Sequence, residues 1–415
     1  MNLTSIFPTK NNFFKRSIGI VAVNSGILAW FFFFVVYSQE LFLAPTTTLQ
    51  HISEAFFLGF GGIFAIIGSV VSQRFNRNKL LFFSITLAII STASILLVQG
   101  TSFILLTSII LGISLGLGYP VSAILILSKS IDDERGKISG FIILLTFILI
   151  VSGIILITIF EENLFLLIIL LMVIRSISYV ALRTKDKEIL NRMSGKDQRN
   201  LSWSSVLRIR EFKLYMFPWI MFNVASGLAS FVTLGLSDLP NYAPYISLAT
   251  PIRYAATAFF GIVVGILADR IGRKKPIIVS LIALGFSFSF LAFVPSPETV
   301  FIYLTISGAA WGMLMVLYLA LLGDLSRMYK SSGEKLYALG SFIPLIIYMF
   351  LPPIPQMLNI TLPATILPAI LSMIMFVSIM PVYNAADTLA ESTKKSRKMK
   401  DYTEKVGKII QESKR

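Results

Sequence analysis

Twelve stretches of the chain stay apolar for longer than a soluble helix or strand requires, and charged or turn-forming residues separate each from the next. They run roughly from Ser17 to Ser38, Ile52 to Ser72, Leu80 to Gln99, Thr101 to Ser128, Ile138 to Phe160, Asn163 to Leu182, Leu214 to Leu236, Ile246 to Ala268, Pro276 to Val294, Val300 to Leu322, Leu336 to Met357 and Thr361 to Tyr383. Each can supply the ~20 residues that carry a helix across a ~30 Å hydrocarbon core. Continuous runs such as Leu164 to Ile174 exclude a transmembrane barrel, whose strands alternate apolar and polar positions. The pattern predicts an all-α integral membrane protein with twelve transmembrane helices.

Charge placement tests that reading. Of the 36 lysines and arginines, 34 lie before the first run, in every second connection, or after the last run, and the alternate connections hold none. Positively charged loops remain in the cytoplasm. Both termini and the segment Arg183 to Lys213 are therefore expected there, in a multi-pass protein of the plasma membrane. The other two cations, Arg175 and Arg253, lie inside spans. The net charge of +15 is then mostly topology, and no nucleic-acid partner is expected. The basic tail, with Lys394, Lys395, Arg397, Lys398 and Lys400 among acidic residues, is either solvated or in contact with anionic lipid. Leu201 to Lys213 places Trp203, Val206, Leu207 and Ile209 near helical spacing among basic residues, as in a short interfacial helix. Met1 to Lys15 has no signal-peptide character, so no cleaved leader is expected.

Composition removes several chemistries. Residues are 55% hydrophobic and only 14% charged, there is no cysteine, and His51 is the sole histidine. Disulfides, thiolate zinc sites, iron–sulfur clusters and cysteine nucleophiles are excluded, and no cofactor or metal is expected. Neither HExxH nor a P-loop occurs. Gly112-Ile113-Ser114-Leu115-Gly116 spells GxSxG, but that motif works on a strand-to-helix turn and here lies inside an apolar helix. An enzyme is not expected.

The chain also repeats. Ser25-Gly26 recurs as Ser226-Gly227, Gly112-x-x-x-Gly116 as Gly308-x-x-x-Gly312, and Gln73-Arg74-Phe75-Asn76-Arg77 is paralleled by Asp269-Arg270-Ile271-Gly272-Arg273, all at an offset near 200 and in the same order. Two similar six-helix bundles follow: residues 1–182 and 214–384, with a linker at 183–213 and a tail at 385–415. Substrate sites in duplicated helical folds lie near mid-membrane between the repeats, which rock around them. The paired small residues let helices pack closely.

Gly265-Ile-Leu-Ala-Asp269-Arg270-Ile-Gly272-Arg273-Lys274 resembles the signature between the second and third helices of each half in the major facilitator superfamily. The resemblance implies a latch in which Asp269, with Gly265, Arg270, Gly272, Arg273 and Lys274 around it, accepts hydrogen bonds from the start of span five near Lys137 to Gly140 and favours the outward-open state. The first-half copy keeps Arg74 and Arg77 but has Ser69, Gln73 and Asn76 in place of Gly, Asp and Gly, which counts against a latch there. Span five lacks the GxxxGPxxGG-like stretch of drug–proton antiporters, and the central loop lacks the PESPR pattern of sugar porters, so no subfamily is assigned.

The resemblance implies that spans one, four, seven and ten line the pathway, where Asn24, Trp30, Tyr119, Trp219, Asn223, Trp311 and Tyr318 offer stacking and hydrogen bonding suited to a small organic solute. Arg253 lies ~24 Å above Asp269 at 1.5 Å per residue, in the outer third, where it can hold an anionic solute, pair with Glu40, Glu54 or Asp238, or snorkel to water. Arg175, on the peripheral sixth span, is expected in a structural ion pair or snorkelling. Glu40, His51 and Glu54 form a candidate coupling or vestibule group near the outer boundary. The function expected is a monomeric secondary transporter in the lipid bilayer, moving a small molecule by rocker-switch alternating access, with a proton or sodium ion as the candidate coupled species. The alternatives are a transporter-like sensor or scaffold, or a membrane-embedded enzyme.

Overall fold

The computed structural model describes residues 11–41, 47–97, 100–129, 134–160, 163–182, 202–237, 241–293, 296–329, 333–351 and 366–388. All regular structure among them is helical. The linker at 183–201 and the basic tail beyond Thr388 fall outside this set, as do Asp238 and the side chain of Glu40.

In the first half α1 is Asn11–Val36, α2 Thr47–Arg74, α3 Arg77–Ser94, α4 Thr101–Lys129, α5 Arg135–Ile159 and α6 Leu164–Ser176, the last tightening into a 3₁₀ segment Ile177–Leu182. In the second half α7 is Arg210–Ser237, α8 Ala243–Ile271, α9 Lys274–Phe293 and α10 Pro297–Met328. Helix α11 runs as Gly333–Tyr337, a π-helical stretch Ala338–Phe342, and Ile343–Phe350, and α12 is Ile366–Val377 continued by Ile379–Asn384. Among the described residues, eight helices are long and apolar enough to cross a membrane: α1, α2, α4, α5, α8, α9, α10 and α12. The other four expected spans are also helical. Helix α3 opens on Arg77 and Lys79, α7 on Arg210, Glu211 and Lys213, α6 is short, and α11 is interrupted by its π stretch.

Local sequence starts and stops these helices. Asn76 and Asn163 cap α3 and α6 by accepting from backbone N–H groups two and three residues on, and Ser296 with Thr299 forms a capping box for α10. Helix α8 stops at Gly272, whose φ of 94° disfavours any residue with a side chain.

The GxxxG pairs are packing devices, at equivalent places in both halves. Gly112 and Gly116 of α4 press on the backbone of α2 at Phe57 and Gly61, and Gly308 and Gly312 of α10 press on α8 at Arg253 and Thr257. Thr257 Oγ1 also donates to the Gly308 carbonyl at 2.9 Å. The halves meet along two crossings related by the same pseudo-symmetry, α5 with α8 and α2 with α11. At the first, Gly136 and Gly265 face each other so closely that a Cβ on either would strike the other's carbonyl oxygen.

The expected linker helix is present as Trp203–Arg208, capped by Ser202. It docks on protein: Val206 is fully buried, and Lys335 at the start of α11 lies 5.4 Å over the Trp203 ring.

Candidate functional site

Helix α10 has 32 residues, ~48 Å at 1.5 Å per residue, so it outruns a ~30 Å core. Its last turns carry Asp324 into the end of the bundle where the basic loops gather. There Asp324 Oδ1 accepts from Arg135 Nη1 at 2.8 Å and Oδ2 from Arg273 Nε at 3.0 Å. Asp269 accepts from the backbone N–H groups of Gly136 and Lys137, each at 2.8 Å, and from Arg273 Nη1 at 2.8 Å. Gly136 and Lys137 are in the first turn of α5, where unpaired N–H groups and the helix dipole favour an anion. One alternating network thus joins α5 of the first half to α8 and α10 of the second. Burial opposes the charge on Arg273, yet Asp324 and Asp269 outweigh it and hold the guanidinium above its ordinary range. Arg270 is exposed beside the network. Lys274 turns away to donate to the carbonyls of Tyr383 and Ala385, at 2.6 and 3.1 Å, and so ties down the end of α12.

A second cross-half contact lies at the equivalent place on the other crossing. Arg77, the first residue of α3, pairs with Glu334 at the start of α11 at 2.6 Å, both side chains being buried. The first-half signature lacks its acid, and the partner half supplies one. Two turns further along α11, Tyr119 of α4 hydrogen-bonds Ser341 within the π stretch and stacks on Phe342, with ring centroids 4.9 Å apart. π-Helical turns recur at functional sites.

Between the halves, near mid-depth, Trp311 of α10 is the hub of an aromatic cage. Phe32 of α1, Tyr348 of α11, Phe147 of α5 and Phe222 of α7 surround it with centroids 5.6, 6.0, 6.1 and 6.5 Å away. Phe147 in turn meets Tyr254 of α8 at 5.7 Å. The Trp311 Nε1–H is buried and finds no acceptor among the described residues. Beside the cage Arg253 is partly exposed, hydrogen-bonds Tyr348, and has Tyr254 and Tyr303 near its charge. Its stem lies in the groove left by Gly308, where a Cβ would come within 2.7 Å of Arg253 Cγ. Tyr348 joins the cation to the aromatic cage.

The family model described as Major Facilitator Superfamily matches residues 18–326. The chain belongs to the major facilitator superfamily. Solved structures agree on the fold. The proton:xylose symporter XylE bound to 6-bromo-6-deoxy-D-glucose is 15% identical, with 90% of this chain and 96% of that one covered at a TM-score of 0.65. The human organic anion transporter MFSD10 (TETRAN) is 14% identical, with 90% and 100% covered at a TM-score of 0.66. No curated protein matches the chain by sequence.

Within this superfamily fold, the residues singled out in the sequence divide into two groups. Trp311 and Tyr119 touch residues of the other half, whereas the partners described for Arg253 (Gly308, Tyr254, Tyr303 and Tyr348) all belong to its own half. Asn24 and Trp30 also stay within their own half: Asn24 bridges the carbonyls of Ile20 and Ser122, and Trp30 donates to Thr92 Oγ1 at 3.2 Å while packing on Phe34 and Phe57. Trp219 stacks on Tyr318 at 4.4 Å, Tyr318 donates to the Tyr215 carbonyl, and Asn223 donates to the Trp219 carbonyl, all inside the second half. Trp219 Nε1 and Asn223 Oδ1 have no partner among the described residues. Arg175 does not snorkel, and among the described residues it finds no carboxylate. It is fully buried, donates to Ser84 Oγ at 3.1 Å and lies 5.4 Å over Trp30, because its helix packs inward on α1 and α3. Toward the other end, Glu54 is occupied within its own half by Ser38, Gln50 and His51, the last at 3.6 Å.

Arg135, Asp324, Arg77 with Glu334, Phe147, Tyr254 and Tyr348 are absent from the sequence-derived set. Arg135 and Asp324 fall in residues that a 20-residue span excludes. The signal for Glu334 was available: an acid at a helix start that occupies, in the repeat, the place of α5's first turn.

Proposed function

We propose that the protein is a secondary transporter for a small organic anion, working by alternating access, with the basic end of the bundle in the cytoplasm. The fold class rests on the superfamily membership. The substrate class is carried by one observation: Arg253 lies beside the Trp311 cage, and among the described residues the groups around its charge are the tyrosines Tyr254, Tyr303 and Tyr348. A carboxylate or similar group would bond Arg253, and the body of the solute would lie against the cage with its own acceptor toward Trp311 Nε1. The fold neighbour MFSD10, a human organic anion transporter, is in keeping with this.

The ionic network at Asp269 and Asp324 then acts as the cytoplasmic latch, with the Arg77–Glu334 pair as its counterpart on the second crossing. Both are made in the present state, so it is closed at the basic end. Opening inward breaks the cross-half bonds to Gly136, Lys137, Arg135 and Arg77, while Arg273 keeps its partners within the second half.

The site reading is tested by thermal stabilisation of purified protein with benzoate and hippurate against their neutral amides, since a ligand that binds only the folded state raises apparent stability. The acids are expected to stabilise the wild type more than the amides, and Arg253→Gln to abolish that difference. Equal shifts for acid and amide, or an undiminished preference in Arg253→Gln, would remove the anion from the account.

A further inference from the structure

We propose that the π turn of α11 is the moving part of the second crossing: Tyr119 of the first half holds it when the basic end is closed, and it anneals into α-helix when that end opens. This goes beyond the site reading above and does not depend on an anion being bound.

The sequence accounts for the turn. In an α-helix the N–H of residue 344 would bond the carbonyl of Gly340, but Pro344 has no N–H and its ring presses on that carbonyl. The helix widens instead, and Ile343 N–H donates to the Ala338 carbonyl five residues back. Gly340 fits the widened turn against Leu322 of α10 and Met216 of α7, where a Cβ would come within 2.3 Å of Leu322 Cδ2 and 3.1 Å of Met216 Sδ. π-Helical turns are intrinsically less favoured than α-helix, so a contact that recognises one decides between the two. Tyr119 supplies it across the crossing, through its hydroxyl to Ser341 and its ring on Phe342, both within the turn. Phe342 also lies 6.2 Å from Phe31 of α1. It packs over Gly61 of α2, and Ile346 packs over Gly62, where a Cβ would lie 3.6 and 3.2 Å from those side chains.

Helix α11 makes contacts on both sides of the turn. Before it, Glu334 pairs with Arg77 of the first half. Beyond it, Tyr348 hydrogen-bonds Arg253 and lies 6.0 Å from Trp311. Annealing moves one part of α11 against the other by one residue's step, ~100° of rotation and ~1.5 Å along the axis. Glu334 then cannot stay on Arg77 while Tyr348 stays on Arg253 and Trp311. The turn is thus a two-position element, biased from the crossing at one end and from the cage at the other.

The test uses the full chain in nanodiscs, with spin labels at Lys79→Cys and Lys275→Cys, exposed positions on opposite halves, and no added solute. Tyr119→Phe keeps the ring and loses the hydroxyl; the ratio of closed to open basic ends should fall roughly 2- to 10-fold, the change that one neutral hydrogen bond carries. Pro344→Ala removes a penalty that falls on the α form, and the ratio should fall further, by more than ~10-fold. Hydrogen exchange over residues 338–343 should slow in Pro344→Ala, although opening an end ordinarily speeds it. Unchanged distances in both variants, or Pro344→Ala that raises the unfolding midpoint alone, would make the turn a static irregularity and overturn the proposal. A shift of Pro344→Ala toward the closed end, or faster exchange over residues 338–343, would overturn it too. If Pro344→Ala does not fold, Tyr119→Phe and Ser341→Ala decide: both remove the same bond and should open the basic end, and an unmoved distance distribution in either sinks the account of the turn.

Discussion

Asp269→Asn separates a latch from a structural ion pair. The carboxylate makes three bonds, but only those to Gly136 and Lys137, both at 2.8 Å, cross between the halves. The bond to Arg273 lies within the second half and survives opening. Hydrogen bonds to a charged partner contribute ~1.5–3 kcal/mol each, so the two together hold the closed end by ~3–6 kcal/mol. Asparagine keeps one acceptor oxygen, presents an NH₂ to the other backbone N–H, and cannot exploit the helix dipole of α5. About half of the latch energy should be lost, ~1.5–3 kcal/mol. At 1.4 kcal/mol per tenfold, the outward-to-inward ratio should fall by roughly 10- to 150-fold. The chain has no cysteine, so spin labels can be placed singly at Lys79→Cys and Lys275→Cys, exposed positions on opposite halves. Double electron–electron resonance should show a longer-distance population rising in the variant, with transport reduced. An unchanged distance distribution would mean that the network only sets topology.

Two further substitutions probe the crossings. Gly136→Ala places a methyl group against the Gly265 carbonyl and the Asp269 carboxylate, and overpacking of that kind costs ~1–3 kcal/mol, read as a lowered unfolding midpoint; an unchanged midpoint would show that α5 and α8 are not bound by this contact. Glu334→Gln strands the buried Arg77 guanidinium, at ~3–5 kcal/mol, whereas the double variant Arg77→Met with Glu334→Leu should unfold closer to the wild type than either single change; a harmless single change would refute the pairing.

Much of the fold could be read in the sequence because a membrane helix needs only length and apolarity, and basic residues mark one side. The repeat located the α2–α4 and α8–α10 packing, and the Asp269 signature pointed to the α5 start within a residue of the observed contact. What escaped detection depends on where helices end and which way they face. Asp324 and Arg135 were cut off with the polar ends of α10 and α5, yet those overhanging turns form the network. Trp30 and Asn24 lie on a helix that the resemblance assigns to the pathway but face into their own half, a rotation that composition cannot report. Arg175 was assigned to the periphery from its helix number, whereas the side chain is long enough to cross to Ser84 and Trp30. The cage residues Phe147, Tyr254 and Tyr348 come from α5, α8 and α11, helices outside the set taken to line the pathway, and their convergence exists only in three dimensions.

The central claim, an anion held by Arg253 with its body in the Trp311 cage, can be examined by locating 4-bromobenzoate in crystals of the wild-type protein through the anomalous scattering of bromine. The account predicts one ordered site between the halves, with the carboxylate at hydrogen-bonding distance from Arg253 and the brominated ring among Trp311, Phe147 and Tyr348. Bromine found inside one six-helix half, or a carboxylate bound away from Arg253, would contradict it.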